Sequence, residues 1–216
     1  MQTLNTLSVG MSIIYLLGED KAGKSTLTRL LIEHLRSKGY KVCGAWMRGS
    51  HTLASIISKL LSKSQVFHWE ENPYYGIHIP RNAVKLWWFI EYISILPIIL
   101  KRYLIPSKFG IIVVADRYVI DFIVWVSIIT DSPSFKDSIY ARHLLALSRR
   151  IKFKFYVTAS DEEIRRRSNE KIMSLNMQKR LYESLSKDAF KIDTTGKAPQ
   201  ESLKEIINIL ENLWFK

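Results

Sequence analysis

Apolar residues in this chain fall into short continuous runs separated by stretches where they recur every three to four positions. That alternation is expected of strands buried on both faces with helices packed over them. The first run, at 12–17, gives way to a helical pattern over 24–38 that Gly39 closes. A second strand is predicted at 41–46 and a helix at 52–62, followed by an irregular aromatic stretch through Pro80. A long apolar helix from about 82 to 103 leads to a strand at 111–115, Ile-Ile-Val-Val-Ala, which Asp116 ends. Helices are predicted around 119–129 and 138–148, and a fourth strand at 153–158. Ser160-Asp161-Glu162-Glu163 has the pattern of a capping box and opens a strongly basic helix. A short strand at 190–193 and an amphipathic helix at 199–214 complete the chain. Five strands interleaved with helices predict an α/β protein with a doubly wound sheet and ligands beyond the carboxyl ends of the strands. No repeat or linker divides it, so 1–10 reads as a tail and 11–216 as one domain with a short lid at about 160–180.

Between the first strand and the first helix stands Gly18-Glu19-Asp20-Lys21-Ala22-Gly23-Lys24-Ser25, a complete G-x-x-x-x-G-K-[ST] phosphate loop. Its two glycines let the backbone curl until successive N–H groups face one anion, and the helix that follows adds the positive end of its dipole. A nucleoside triphosphate is the expected ligand, with Lys24 reaching the β/γ-phosphates and Ser25 ligating Mg²⁺. The expected architecture is therefore the three-layer fold of P-loop NTPases, a five-stranded parallel sheet flanked by helices.

Two further clusters lie where such a sheet collects ligands. Asp116-Arg117-Tyr118 follows the third buried strand, where an aspartate can hold Mg²⁺ through water and an arginine can grip a phosphate in bidentate fashion. An internal Asp–Arg ion pair tying the strand end to the next helix is the structural alternative. Arg165-Arg166-Arg167, with Lys171, lies on the helix after the fourth strand, where a closing lid could bring guanidinium groups to a phosphoryl group in transfer. A solvated surface run is the alternative there.

Composition narrows the partners. At 216 residues, 47% hydrophobic and 24% charged, the chain is ordinary for one large soluble domain. Its net charge of +12 favours anionic partners, or else a solvated basic face. The single cysteine, Cys43, forms no internal disulfide and suits a reducing, cytoplasmic setting. The first ten residues lack the basic start and sustained apolar run of a secretion signal. The most apolar stretch, 86–100, is too short to span a bilayer and is interrupted by Glu91 and Pro97, so no membrane association is expected. His51, His68, His78 and His143 lack ligand spacing, which argues against zinc.

On these motifs the chain resembles thymidylate kinases and the wider nucleoside monophosphate kinase group from about Ile13 onward. Glu19 to Thr26 is similar to the D-x-x-G-K-[ST]-T loop, and Asp116-Arg117-Tyr118 matches D-R-[YH]. Tyr156-Val157-Thr158 followed by Glu162 and Arg167 resembles the strand and lid-helix pattern. Ile192-Asp193-Thr194-Thr195 followed by Pro199 resembles the last strand and the loop near the adenine. The resemblance implies ATP on the phosphate loop, Mg²⁺ on Ser25 and Asp116, and a nucleoside monophosphate acceptor, dTMP first among them, opposite the loop. It implies a donor site formed by Gly18, Glu19, Asp20, Lys21, Ala22, Gly23, Lys24, Ser25, Thr26 and Thr195. Lys24, Lys21, Asp116, Arg117, Arg166 and Arg167 are the implied catalytic groups. Arg48, Trp88, Tyr92, Arg117 and Tyr118 are the implied acceptor contacts, with Lys21 standing where one branch has a loop arginine.

The acceptor side departs from that pattern. Arg48-Gly49-Ser50-His51-Thr52 is one residue shorter than R-E-P-G-G-T, and Trp87-Trp88-Phe89 leads to Glu91 and Tyr92 with no base-reading arginine. Asp121-Phe122-Ile123-Val124-Trp125-Val126 replaces a segment that carries serine and glutamine. A kinase of another small phosphate acceptor or nucleoside is one alternative. A nucleotide-switched nucleic-acid-binding protein is the other, although nucleic acid is not the expected partner because Asp116-Arg117-Tyr118-Val119 lacks the glycine of a switch element. The apolar third helix could serve a homodimer face as readily as a core face.

Overall fold

The computed structural model describes residues 12–49, 51–63, 77, 79–168 and 174–214. The tail, Ser50, His68, His78, Lys171 and most of the aromatic stretch before Pro80 lie outside them.

Five strands, β1 (Ile13–Leu17), β2 (Val42–Trp46), β3 (Ile112–Asp116), β4 (Phe153–Thr158) and β5 (Phe190–Asp193), pair in parallel in the order β2-β3-β1-β4-β5. The three inner strands are buried at every position, which accounts for their largely apolar sequences; the exception within β4 is Lys154, whose buried ammonium pairs with Asp188. Successive side chains of β1 feed opposite layers. Ile14 and Leu16 pack with Leu27, Leu31 and Leu35 of α1 (Lys24–Ser37) and with Ile206 and Leu210 of the last helix, at 199–214. Ile13, Tyr15 and Leu17 join the opposite core. That second layer contains α3 (Val84–Ile99), α5 (Val119–Ile129), α6 (Ile139–Arg149) and α8 (Leu175–Leu185), while α2 (Thr52–Leu61) packs on α3.

The helix predicted at about 82–103 forms and runs on to Lys108, with a π turn near its C-terminal end. After α3, which contains Pro97, the chain passes through a π turn at Leu100–Leu104 into the short α4 (Ile105–Lys108). The π turn buries Tyr103 completely, and its hydroxyl donates to the Arg117 carbonyl at 3.0 Å. Ser160 caps α7 (Asp161–Arg166) as expected, accepting from the Glu163 N–H at 3.2 Å, but that helix has only six residues. The lid region also contains α8, whose buried face of Leu175, Gln178, Leu181 and Tyr182 had no separate prediction. The final helix, Pro199–Trp214, is α9. Among the described residues, no helix is long and apolar enough to cross a membrane.

The register places the chemistry at one sheet edge. Leu16 of β1 and Trp46 of β2 are both level with Asp116 of β3. The phosphate loop, the Arg48 segment and Asp116-Arg117 therefore leave the sheet side by side.

Candidate active site

The phosphate loop depends on its first glycine. Gly18 has φ of +137°, and a Cβ there would lie 1.9 Å from the Val157 carbonyl oxygen, so no other residue fits. Side chains from distant elements hold the loop from outside. Thr194 Oγ1 donates to the Ala22 carbonyl at 3.0 Å, the Asp20 N–H donates to Gln178 Oε1 at 3.4 Å, and the Tyr156 hydroxyl donates to Glu19 Oε1 at 2.5 Å. Lys24 is buried and its Nζ donates to the Glu19 carbonyl. Burial, with the nearby Arg117 guanidinium, pulls its pKa down to about 8.

Asp20, in the same loop, bridges Arg48 and Arg117. Its Oδ2 accepts from Arg48 Nη2 at 2.5 Å and its Oδ1 accepts from Arg117 Nη2. Burial alone would raise the Asp20 pKa, but the two guanidinium groups outweigh it and hold the carboxyl at about 2. Arg117 has φ of +76°, a conformation costly for a residue with a Cβ, and is kept there by its side chain, its carbonyl bond to Tyr103 and its N–H bond to the Leu16 carbonyl at 3.1 Å. Its Nη1 lies 3.3 Å from Asp121 Oδ1. Asp121 is fully buried and also accepts from Tyr15 at 2.6 Å and Tyr182 at 2.8 Å. Arg48 rests over the Trp125 indole, 4.6 Å from its centroid.

Arg117 thus pairs with Asp20 and Asp121, and the internal Asp116–Arg117 ion pair does not form. Asp116 is buried, and its Oδ1 has no hydrogen-bond partner. An orphaned carboxylate oxygen at a strand tip, with the Ser25 hydroxyl at the start of α1, is a hard-oxygen donor set of the kind that suits Mg²⁺ held mainly by phosphates and water. Among the described residues there is no cluster of three or more His, Cys, Asp or Glu able to hold a metal unaided.

One member of the arginine run turns inward. Arg167 donates through Nε to Glu163 Oε1 at 2.8 Å, through Nη1 to Thr194 Oγ1 at 2.9 Å and through Nη2 to the Thr194 carbonyl at 2.9 Å. Lys21, Lys24, Ser25, Arg117, Arg167 and Thr194 all line one cavity of about 450 Å³. With Lys197, five cations from four separate parts of the chain therefore converge on one space.

Several expected contacts lie elsewhere. Arg166 is 75% exposed and reaches only Glu163, because the helical turn that faces Arg167 inward faces its neighbour out. Arg167 pairs with Glu163, one turn before it, and the i,i+4 spacing was the available signal. Tyr118 is buried, its ring between Tyr15 at 5.7 Å and Tyr103 at 4.4 Å, and serves the core. Trp88 packs on Phe135 and donates to Thr130 Oγ1 at 3.4 Å, while the Tyr92 hydroxyl pairs with His143 Nδ1 at 2.8 Å. Both belong to the packing of α3 on the α5–α6 region. Thr195 bonds the Ser160 N–H at 2.8 Å and Asp193 at 2.6 Å, and its neighbour Thr194 lines the cavity instead. The bridging role of Asp20 and the Asp121–tyrosine network had no sequence signal, since each joins segments far apart along the chain.

No protein-family model and no curated protein matches the chain. Solved structures do. The thymidylate kinase of Ehrlichia chaffeensis superimposes with a TM-score of 0.56 at 18% identity over 94% of this chain and 98% of its own. The thymidylate kinase of Candida albicans, described as having broad substrate specificity, superimposes with a TM-score of 0.59 at 14% identity over 94% of this chain and 92% of its own. The chain therefore has the fold of these kinases.

Proposed function

We propose that this protein transfers the γ-phosphoryl group of ATP to a nucleoside monophosphate, with dTMP the first candidate. The observation that carries the reading is the single cavity in which the phosphate loop, the strand-tip Arg117 and the lid Arg167 converge. Phosphoryl transfer requires positioning and charge compensation rather than a covalent nucleophile, and this arrangement supplies both. Lys24 and Lys21 neutralise the donor phosphates. Arg48 and Arg117, spaced by Asp20, hold the acceptor phosphate, and Arg167 compensates charge on the group in flight. Ser25 and Asp116 would hold Mg²⁺, which supplies charge neutralisation between the phosphates when bound.

The acceptor segments depart from the thymidylate kinase pattern: Glu91 is buried on α3, and Val124 and Val126 belong to the core. A site discriminates strongly by hydrogen bonding only when its polar partners are present, so another small phosphate acceptor or a nucleoside is the second reading. The test is ADP production from ATP with dTMP, dUMP, dCMP, AMP and single-stranded DNA as the only variable. Turnover with one or more nucleoside monophosphates and none with DNA supports the kinase. Hydrolysis stimulated by DNA alone would replace it with a nucleic-acid switch.

A further inference from the structure

Arg117 is held by two carboxylates, Asp20 in the phosphate loop and Asp121 in the first turn of α5. Asp121 is fully buried and does not line the cavity, so it acts on bound molecules only through its neighbours. Its two oxygens have different partners. Oδ2 accepts from the Tyr15 hydroxyl at 2.6 Å and from the Tyr118 N–H at 3.2 Å, which fixes the start of α5. Oδ1 accepts from the Tyr182 hydroxyl at 2.8 Å and from Arg117 Nη1 at 3.3 Å. Burial, with the Asp121 charge adding to it, raises the pKa of both phenols, so Tyr15 and Tyr182 stay protonated and donate. Packing alone does not require a tyrosine at 182. The residue shares a buried face of α8 with Leu175 and Leu181, and phenylalanine would keep the stacking on Tyr156, whose ring centroid is 6.0 Å away.

On the reading that Arg117 holds the acceptor phosphate, we infer that Tyr182 is a positioning residue: by sharing Oδ1 of Asp121 it keeps the Arg117 guanidinium turned towards Asp20 and the cavity. A buried carboxylate oxygen left with a single charged donor draws that donor in. The Tyr182 hydroxyl satisfies part of the charge on Oδ1, and the Arg117 contact stays long at 3.3 Å. The other terminal nitrogen, Nη2, is left to Asp20. Loss of the hydroxyl should pull Arg117 towards Asp121 and away from an arriving phosphate. One helical turn before Tyr182, Gln178 Oε1 accepts from the Asp20 N–H at 3.4 Å, so α8 reaches both residues whose carboxylates hold Arg117.

The experiment compares Tyr182→Phe with Tyr15→Phe. Each removes one phenol hydroxyl from the same buried carboxylate, but only the first removes it from the oxygen that Arg117 shares. Kinetics are measured with dTMP varied, or with dUMP, dCMP or AMP where one of these turns over faster, and ADP binding is measured by calorimetry. Tyr182→Phe should raise the acceptor KM about 5- to 10-fold with kcat and ADP affinity within about 2-fold of wild type. Tyr15→Phe should raise that KM less than about 2-fold, although both variants melt at lower temperature. In an Arg117→Lys background, Tyr182→Phe should change the KM less than about 2-fold, because no guanidinium remains to be turned. An unchanged KM, equal rises in the two phenylalanine variants, or a full rise in the lysine background would overturn the inference and leave the kinase reading standing. Nitrogen-15 NMR of the arginine side chains reads the same arrangement without turnover. The Arg117 guanidinium signals should shift in Tyr182→Phe more than in Tyr15→Phe, and signals unmoved by Tyr182→Phe would overturn the inference. A wild-type protein that turns over no nucleoside monophosphate would overturn the kinase reading as well.

Discussion

Arg117, at the tip of β3, donates to the carboxylate of Asp20, in the loop after β1, and so ties the strand-tip guanidinium to the phosphate loop. The same carboxylate holds Arg48. Asp20→Asn should release both arginines and raise the acceptor KM about 10-fold or more while leaving ADP binding nearly unchanged. Steady-state kinetics with the acceptor varied provides the check, and an unchanged acceptor KM would contradict the bridging role.

Asp20 also makes stability depend on pH. Its folded pKa of about 2 lies below the ordinary 3.8, so the unfolded chain takes up the proton first on acidification. The ion pairs contribute fully above pH 4, and that contribution is lost as pH falls towards 2. It amounts to roughly 2 kcal/mol. Denaturant unfolding at pH 6 and pH 2.5 should show a larger wild-type loss than Asp20→Asn shows; equal losses would contradict the assignment.

Lys24 responds in the opposite pH range. Its folded pKa of about 8 lies below 10.5, so between those values the unfolded chain holds more protons and stability rises with pH. Bound phosphate reverses the shift. At pH 8.5, ADP binding should take up protons, measured by calorimetry in buffers of different ionisation enthalpy, and Lys24→Met should abolish that uptake. The same variant should cut turnover by about 10²–10³-fold or more with an unchanged circular dichroism spectrum. Proton uptake that survives in the variant would place the titrating group elsewhere.

The apolar runs of β1, β3 and β4 made the sheet legible because burial on both faces leaves few polar positions, Lys154 of β4 being one, and the phosphate loop was legible because its geometry is local. The acceptor side was not. Trp88 and Tyr92 share a helix with core positions, and only the packing of α3 against α5 and α6 decides which way each ring turns. Arg167 differed from Arg166 only through its contact with Thr194, far along the chain. The two should separate functionally. Arg167→Ala should lower kcat about 10²-fold and Arg166→Ala less than about 3-fold; equal effects in single-turnover assays would contradict the inward placement.

Gly49 sets the seat of Arg48. A Cβ at this position would lie 1.8 Å from Trp125 Cδ1, so Gly49→Ala must displace the indole beneath the guanidinium. A destabilisation of about 1–3 kcal/mol is expected, with a raised acceptor KM. Thermal unfolding and kinetics together test it, and a neutral variant would mean that Trp125 moves freely.

The most direct test of donor and acceptor sharing one cleft is the binding of adenosine and thymidine joined by five phosphates, compared with ADP and dTMP separately. A cavity that holds both phosphate chains end to end should bind the linked molecule about 10²-fold or more tighter than either part. Affinity no better than that of ADP alone, alongside normal ADP binding, would contradict a shared transfer cleft for a thymidine acceptor.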